Sequence, residues 1–123
     1  MKPIMLNLKH LGKSYPLLFT IAAFEMLSDM LPDGEKDYKN VLKLLANPGS
    51  ACKACEILMS AAAEPGEKTP TAEEIKKAPV IALNEVQTAC MKAIFEGLGI
   101  ETDADENEEI DEVLAEKNAE KGD

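Results

Sequence analysis

The 123 residues, 46% hydrophobic and 29% charged, suffice for one domain of ordinary size, because folding at that length buries roughly two-thirds of the accessible surface. The formal net charge is -10 and all 13 basic residues are lysine. A chain without arginine or a basic excess lacks both the stripe that neutralises nucleic-acid phosphates and the usual reader of guanine edges. No run approaches the roughly 18 apolar residues that span a bilayer. No basic segment followed by an apolar run and a cleavage site marks a secretory signal. Three cysteines, an odd number, point to reduced thiols in a cytoplasm-like compartment.

The chain opens on a hairpin pattern. Ile4, Leu6 and Leu8 alternate with Met5, Asn7 and Lys9, which predicts a strand with one apolar face. His10-Leu11-Gly12-Lys13 supplies a turn, and Tyr15, Leu17 and Phe19 restore the alternation. Pro16 cannot donate a ladder hydrogen bond, so the second strand belongs at an edge. A lone hairpin is marginal in water and must pack on helices or on another chain.

The period then changes to that of a helix. Ile21, Phe24, Leu27 and Leu31 form an apolar stripe, with Thr20 as N-cap and Phe19–Phe24 as a hydrophobic staple. Pro32-Asp33-Gly34 stops it. Asp37 caps a short second helix carrying Tyr38, Val41, Leu42 and Leu45, which Asn47-Pro48-Gly49 closes. Ser50 then caps a third helix with Ala51, Cys55, Leu58 and Ala62 inward and Lys53, Glu56 and Ser60 outward. Pro65 to Pro70 is a loop by composition. Thr71-Ala72-Glu73-Glu74 is a capping box that opens a short fourth helix ending before Pro79. Leu83, Val86, Cys90, Ile94 and Leu98 stripe a fifth, with Gly97 and Gly99 as C-terminal breakers.

Past Ile100 the composition shifts. Residues 101–123 hold 11 acidic residues against two lysines, a net of -9, which leaves 12 acidic and 11 basic residues for positions 1–100, a net of -1. Like-charge repulsion and few apolar groups predict disorder over Glu101–Glu109. Ile110, Val113 and Leu114 form one short apolar stripe, too short for a helix that stands alone, and these residues are the candidate partner-binding set. The fold class is therefore mainly α: a small helical domain over 1–100, of about five helices with an N-terminal β-hairpin, and a disordered acidic tail over 101–123.

Few residues suggest chemistry. Cys52 and Cys55 form a C-x-x-C, and Cys90 with His10 would complete a zinc set of sound donor chemistry. The second pair lacks the close spacing of a zinc ribbon, and Cys55 and Cys90 sit on apolar helix faces where free cysteine fills cores, so no metal or cofactor is expected. His10 reads as a solvated turn residue without triad partners. Met26, Met30, Met59 and Met91 read mostly as core, though methionine also suits adaptable binding surfaces. Glu73, Glu74, Lys76 and Lys77 read as a solvated helix face. No nucleophile, base and oxyanion stabiliser can be nominated together, so no catalytic site is assigned.

The order of features carries a resemblance. Leu11-Gly12-Lys13-Ser14-Tyr15-Pro16-Leu17-Leu18-Phe19-Thr20 leads straight into the Ile21–Leu31 helix. It is similar to the opening of tail assembly chaperones from long-tailed phages of Gram-positive bacteria, which begin with a "Gly-Lys-x-Tyr-x-Leu-x-Phe" hairpin and then a helix. The middle helix, the Pro/Gly loop, the acidic Thr71-Ala72-Glu73-Glu74-Ile75 helix, the apolar helix and the charged tail come in the same order, from about Leu6 to Asp123. The resemblance implies binding without chemistry. Such chaperones coat the tape measure protein, recruit tail tube subunits, act in the host cytoplasm and are absent from the finished virion. Self-association through the proline-marked edge strand fits the same job. The resemblance also implies a programmed frameshift near the end of the gene, on a run that encodes Lys117-Asn118; the alternative is a plain polar dipeptide. The competing function is a small acidic regulatory protein, such as a DNA mimic. No nucleic acid or membrane is expected as a partner.

Overall fold

The computed structural model describes residues 1–100. The chain begins with an antiparallel hairpin of β1 (Ile4–Leu8) and β2 (Lys13–Leu17), in which Leu6 faces Tyr15 and Met5 faces Pro16. Between them Lys9–Leu11 forms one 3₁₀ turn, closed by Gly12 at φ +70°, a conformation that costs glycine little. The alternation read from sequence holds where it matters, since Leu6, Leu8 and Leu17 are all buried.

Among the described residues five α-helices come after the hairpin: α1 (Ile21–Ser28), α2 (Tyr38–Val41), α3 (Pro48–Ala62), α4 (Ala72–Ile75) and α5 (Leu83–Gly97). Local chemistry explains most starts. Thr20 Oγ1 accepts from Ala23 N–H at 3.1 Å, and the Phe19 and Phe24 rings meet edge to face with centroids 5.9 Å apart. Asp37 Oδ1 accepts from Asn40 N–H at 2.9 Å. Thr71 and Glu74 form the reciprocal capping box. At the far end of α5, Gly99 takes φ +78°, with Gly99 N–H on the Glu96 carbonyl (3.1 Å) and Ile100 N–H on that of Phe95 (3.0 Å). This is the paired-bond C-terminal motif that a left-handed glycine permits. Gly97 serves a different end, because a Cβ there would lie 2.7 Å from Phe19 Cβ.

Three details depart from the sequence reading. Ile21 is 89% exposed, while Leu27 and Leu31 of the expected stripe are buried, Phe24 is half-buried, and Ala23 joins them on the inner face. The cap of α3 is Asn47, whose Oδ1 accepts from Ser50 N–H at 3.2 Å, with Pro48 in the first turn where its missing N–H costs nothing. Asn47-Pro48-Gly49 therefore starts a helix, and the segment before it, Leu42–Ala46, is 3₁₀. Third, α3 buries far more than one stripe: Ala51, Cys52, Ala54, Cys55, Ile57, Leu58 and Met59 are all buried.

That breadth reflects position, since α3 packs against α1, α4, α5, β2 and the Leu42–Ala46 turn. Leu18 N–H donates to the Leu58 carbonyl at 3.1 Å, tying the hairpin exit to the same helix. β1 packs on α5, and Gln87 Nε2 donates to the Leu45 carbonyl at 2.8 Å across the α5 side of the core. No buried polar side-chain atom lacks a partner among the described residues. None of the described helices is long and apolar enough to cross a membrane.

Candidate functional site

The short helix α4 is held in place from two sides. Glu56 Oε1 on α3 accepts from Ala72 N–H at 2.9 Å, which satisfies a donor that the first helical turn leaves free. From the hairpin turn, His10 Nε2 donates to the Glu74 carbonyl at 2.9 Å. His10 is thus a strut between the hairpin turn and α4, although its side chain is exposed.

Pro79 takes an extended conformation (φ -62°, ψ 151°), and Val80–Ala82 makes one 3₁₀ turn that runs directly into α5 without a side-chain cap. Neither of the two consecutive apolar residues on this turn is folded inward: Val80 is 86% and Ile81 87% exposed. Val80 stands at the lip of an apolar groove of about 360 Å³ floored by Pro48, Cys52, Ile75, Leu83 and Val86. Ile81 borders a narrower cleft of about 160 Å³ toward Leu6–His10. The charged residue lining the larger groove is Lys76, paired at 3.1 Å with Glu73. A second apolar face lies at the other end of α5, where Met1, Ile21 and Tyr38 are exposed around a groove of about 320 Å³ floored by Phe19, Phe24 and Leu98. Met26, half exposed, is also on α1, whereas Met59 and Met91 belong to the core.

The cysteines occupy the floor and the core. Cys52 borders the larger groove, and burial raises its thiol pKa, with Cys55 nearby adding to the rise. Cys90 is raised well above the ordinary range, first by its hydrogen bond with Cys55 and then by burial. All three cysteines are free, and the raised thiols of Cys52 and Cys90 stay protonated, which suits packing and opposes nucleophilic work. His10 is committed to Glu74, and no cluster of three or more metal-ligating side chains occurs among the described residues.

The described residues thus offer two open apolar grooves at opposite ends of α5. The residues that sequence reasoning nominated for partner contact, Ile110, Val113 and Leu114, and for the frameshift, Lys117 and Asn118, lie outside the described residues. The Val80–Ile81 edge is the feature that sequence reasoning missed. Its signal was present: two apolar residues directly after Pro79, between two helices whose stripes include neither. Comparisons with protein-family models, curated proteins and solved structures return no match.

Proposed function

We propose that this chain is a tail assembly chaperone of a long-tailed phage or prophage, a binding protein without catalytic activity. In this reading it acts in the host cytoplasm, holds the tape measure protein, recruits major tail tube subunits and is absent from the virion. The observation that carries the proposal furthest is the groove beside Val80. An amphipathic helix presents apolar residues at i, i+3 and i+4, and an open apolar groove is the complement such a helix needs. A tape measure protein is a long helical chain that requires cover over its whole length, so many copies of a small groove-bearing body suit it.

The separation of the two apolar faces supports the recruiting half of the job. Val86 and Leu98 are twelve residues apart, and at about 1.5 Å per residue the faces lie roughly 18 Å from each other along the α5 axis. A tape measure segment in the groove leaves the Ile21–Tyr38 face open for a tube subunit or for a second copy of the chaperone. A frameshift at Lys117-Asn118 would add a longer product to the same body.

Co-expression with the tape measure and tube proteins of the same gene cluster tests the reading. The chaperone should co-purify with at least one of them, and retention of neither overturns the proposal. The DNA-mimic reading is less favoured, because the excess charge resides in residues 101–123 and not among the folded residues 1–100.

A further inference from the structure

Beside β1 lies a cleft of about 300 Å³, lined on one side by residues 4–7 and on the other by Asn84, Glu85, Thr88, Ala89 and Lys92 of α5. It joins an open strand edge to a helix seam. We propose that a second copy of this chain pairs there about a two-fold axis, β1 against β1 in antiparallel register, with the two α5 helices meeting beneath the joined sheet. The inference goes beyond the assembly role proposed above and needs neither the groove beside Val80 nor the tape measure protein.

Pro16 decides which edge is open. It faces Met5 and has no N–H, so that pair cannot exchange both ladder bonds. The bonded pairs are therefore Ile4–Leu17, Leu6–Tyr15 and Leu8–Lys13, and the N–H and C=O groups of Met5 and Asn7 point away from β2. No turn, loop or cap bond among the described residues reaches those four groups. The outer edge of β2 is less suited, because Pro16 leaves it a donor short and α3 packs on that strand. Two copies of β1 are self-complementary. With Leu6 opposite Leu6, Met5 of each copy faces Asn7 of the other, and four N–H···O=C bonds form.

The helix seam obeys the same symmetry. Glu85, Thr88, Ala89 and Lys92 stand at i, i+3, i+4 and i+7, on one side of α5. α5 runs antiparallel to β1, since Glu85 borders residues 6–10 while Glu96, farther along, accepts from Lys2 N–H at 3.4 Å. A two-fold axis centred on Leu6 therefore passes near Thr88 and Ala89, which line the cleft with it. That axis brings Glu85 of each copy to Lys92 of the other, and the small side chains at the crossing let the helices approach closely. The salt bridges among the described residues are Lys53–Glu56 and Lys76–Glu73, so neither Glu85 nor Lys92 is paired within one copy. Lys9 borders the adjoining cleft with Glu85 but forms no salt bridge with it.

Pairing yields a four-stranded sheet in the order β2-β1-β1-β2, whose ends are the proline-marked strands that α3 already packs against. Nine residues of each copy line the cleft, fewer than the roughly 20–30 a side of a standard interface. The dimer is accordingly reversible, with a Kd on the order of 10 µM.

Sedimentation equilibrium and amide exchange on the full-length chain test the proposal together. The protein should pass from monomer to dimer between about 1 and about 200 µM. The Met5 and Asn7 amides, unpaired in the monomer, should gain protection over the same range. Glu85→Lys and Lys92→Glu should each weaken the dimer about tenfold by setting like charges across the axis. The two substitutions together should restore it to within about threefold, a rescue that a merely unfolded variant could not show. A monomer at every concentration overturns the proposal, as does a dimer whose Met5 and Asn7 amides still exchange freely. Dimerisation indifferent to the single reversals, or not restored by the double one, overturns it as well.

Discussion

Apolar residues of similar character meet opposite fates in two regions of this molecule. Leu58, Cys55 and Cys90 lie where α3 and α5 meet, entirely out of contact with solvent. Val80 and Ile81, equally apolar and only a few residues before Cys90's helix begins, stand almost fully in water. Composition cannot tell these positions apart, but the neighbours of each segment do. A 15-residue helix surrounded by neighbours has a use for apolar groups on nearly every side, whereas the 3₁₀ turn after Pro79 packs chiefly on α5, unlike the Leu42–Ala46 turn, which lies against α3 and buries Leu44 and Leu45. Burial of such side chains is worth about 1.5–3 kcal/mol each, so leaving two exposed forgoes stabilisation that a partner can recover on docking.

The contrast can be broken first in the core. Leu58→Ala removes a fully buried side chain from the centre of α3 and should destabilise the protein by about 2–5 kcal/mol, read as a lower urea midpoint with an unchanged slope. An effect below about 1 kcal/mol would mean that α3 is not the hub. The cap of α3 offers a smaller and sharper comparison. Asn47→Ala should cost about 1 kcal/mol and Ser50→Ala almost nothing, because Asn47 Oδ1 makes the capping bond; the reverse order would reinstate Ser50 as the cap.

The thiols sharpen the same divide. The shifts of Cys52 and Cys90 are both upward, so the folded state favours their protonated form. Their contribution to stability is complete below the ordinary thiol pKa of about 8.5 and is lost as pH rises beyond it, because the unfolded chain releases those protons first. Urea midpoints should therefore fall as pH rises above about 8.5, and a Cys52→Ala/Cys90→Ala variant should lose that pH dependence. Toward an alkylating reagent, Cys52 at the groove should react before Cys90, and equal rates would indicate that the α3–α5 core opens as readily as the groove.

The features legible in the sequence are those decided locally. Thr20, Asp37 and the Thr71–Glu74 box each act within four residues, as does the Phe19–Phe24 staple, and hairpin alternation needs only nearest neighbours. The features that were not legible depend on what a helix packs against. Ile21 looks inward on a helical wheel, yet α1 is only two turns long, packs on α3 and buries Ala23 and Leu27. Pro48-Gly49 carries the signature of a turn, and only the cap bond from Asn47 shows that it begins a helix. The groove has contributions from α3, α4, α5 and a connecting turn, so no single stretch of sequence announces it.

In the proposed function a helical partner docks along the exposed Val80 and Ile81. Calorimetric titration of the tape measure protein into the full-length chain and into its Val80→Asp/Ile81→Asp variant tests it most directly. Both side chains are almost fully exposed, so the variant should retain its stability within about 0.5 kcal/mol. Its affinity should fall at least about tenfold, the equivalent of about 1.4 kcal/mol lost at the groove edge. Equal affinities for the two proteins would contradict the account.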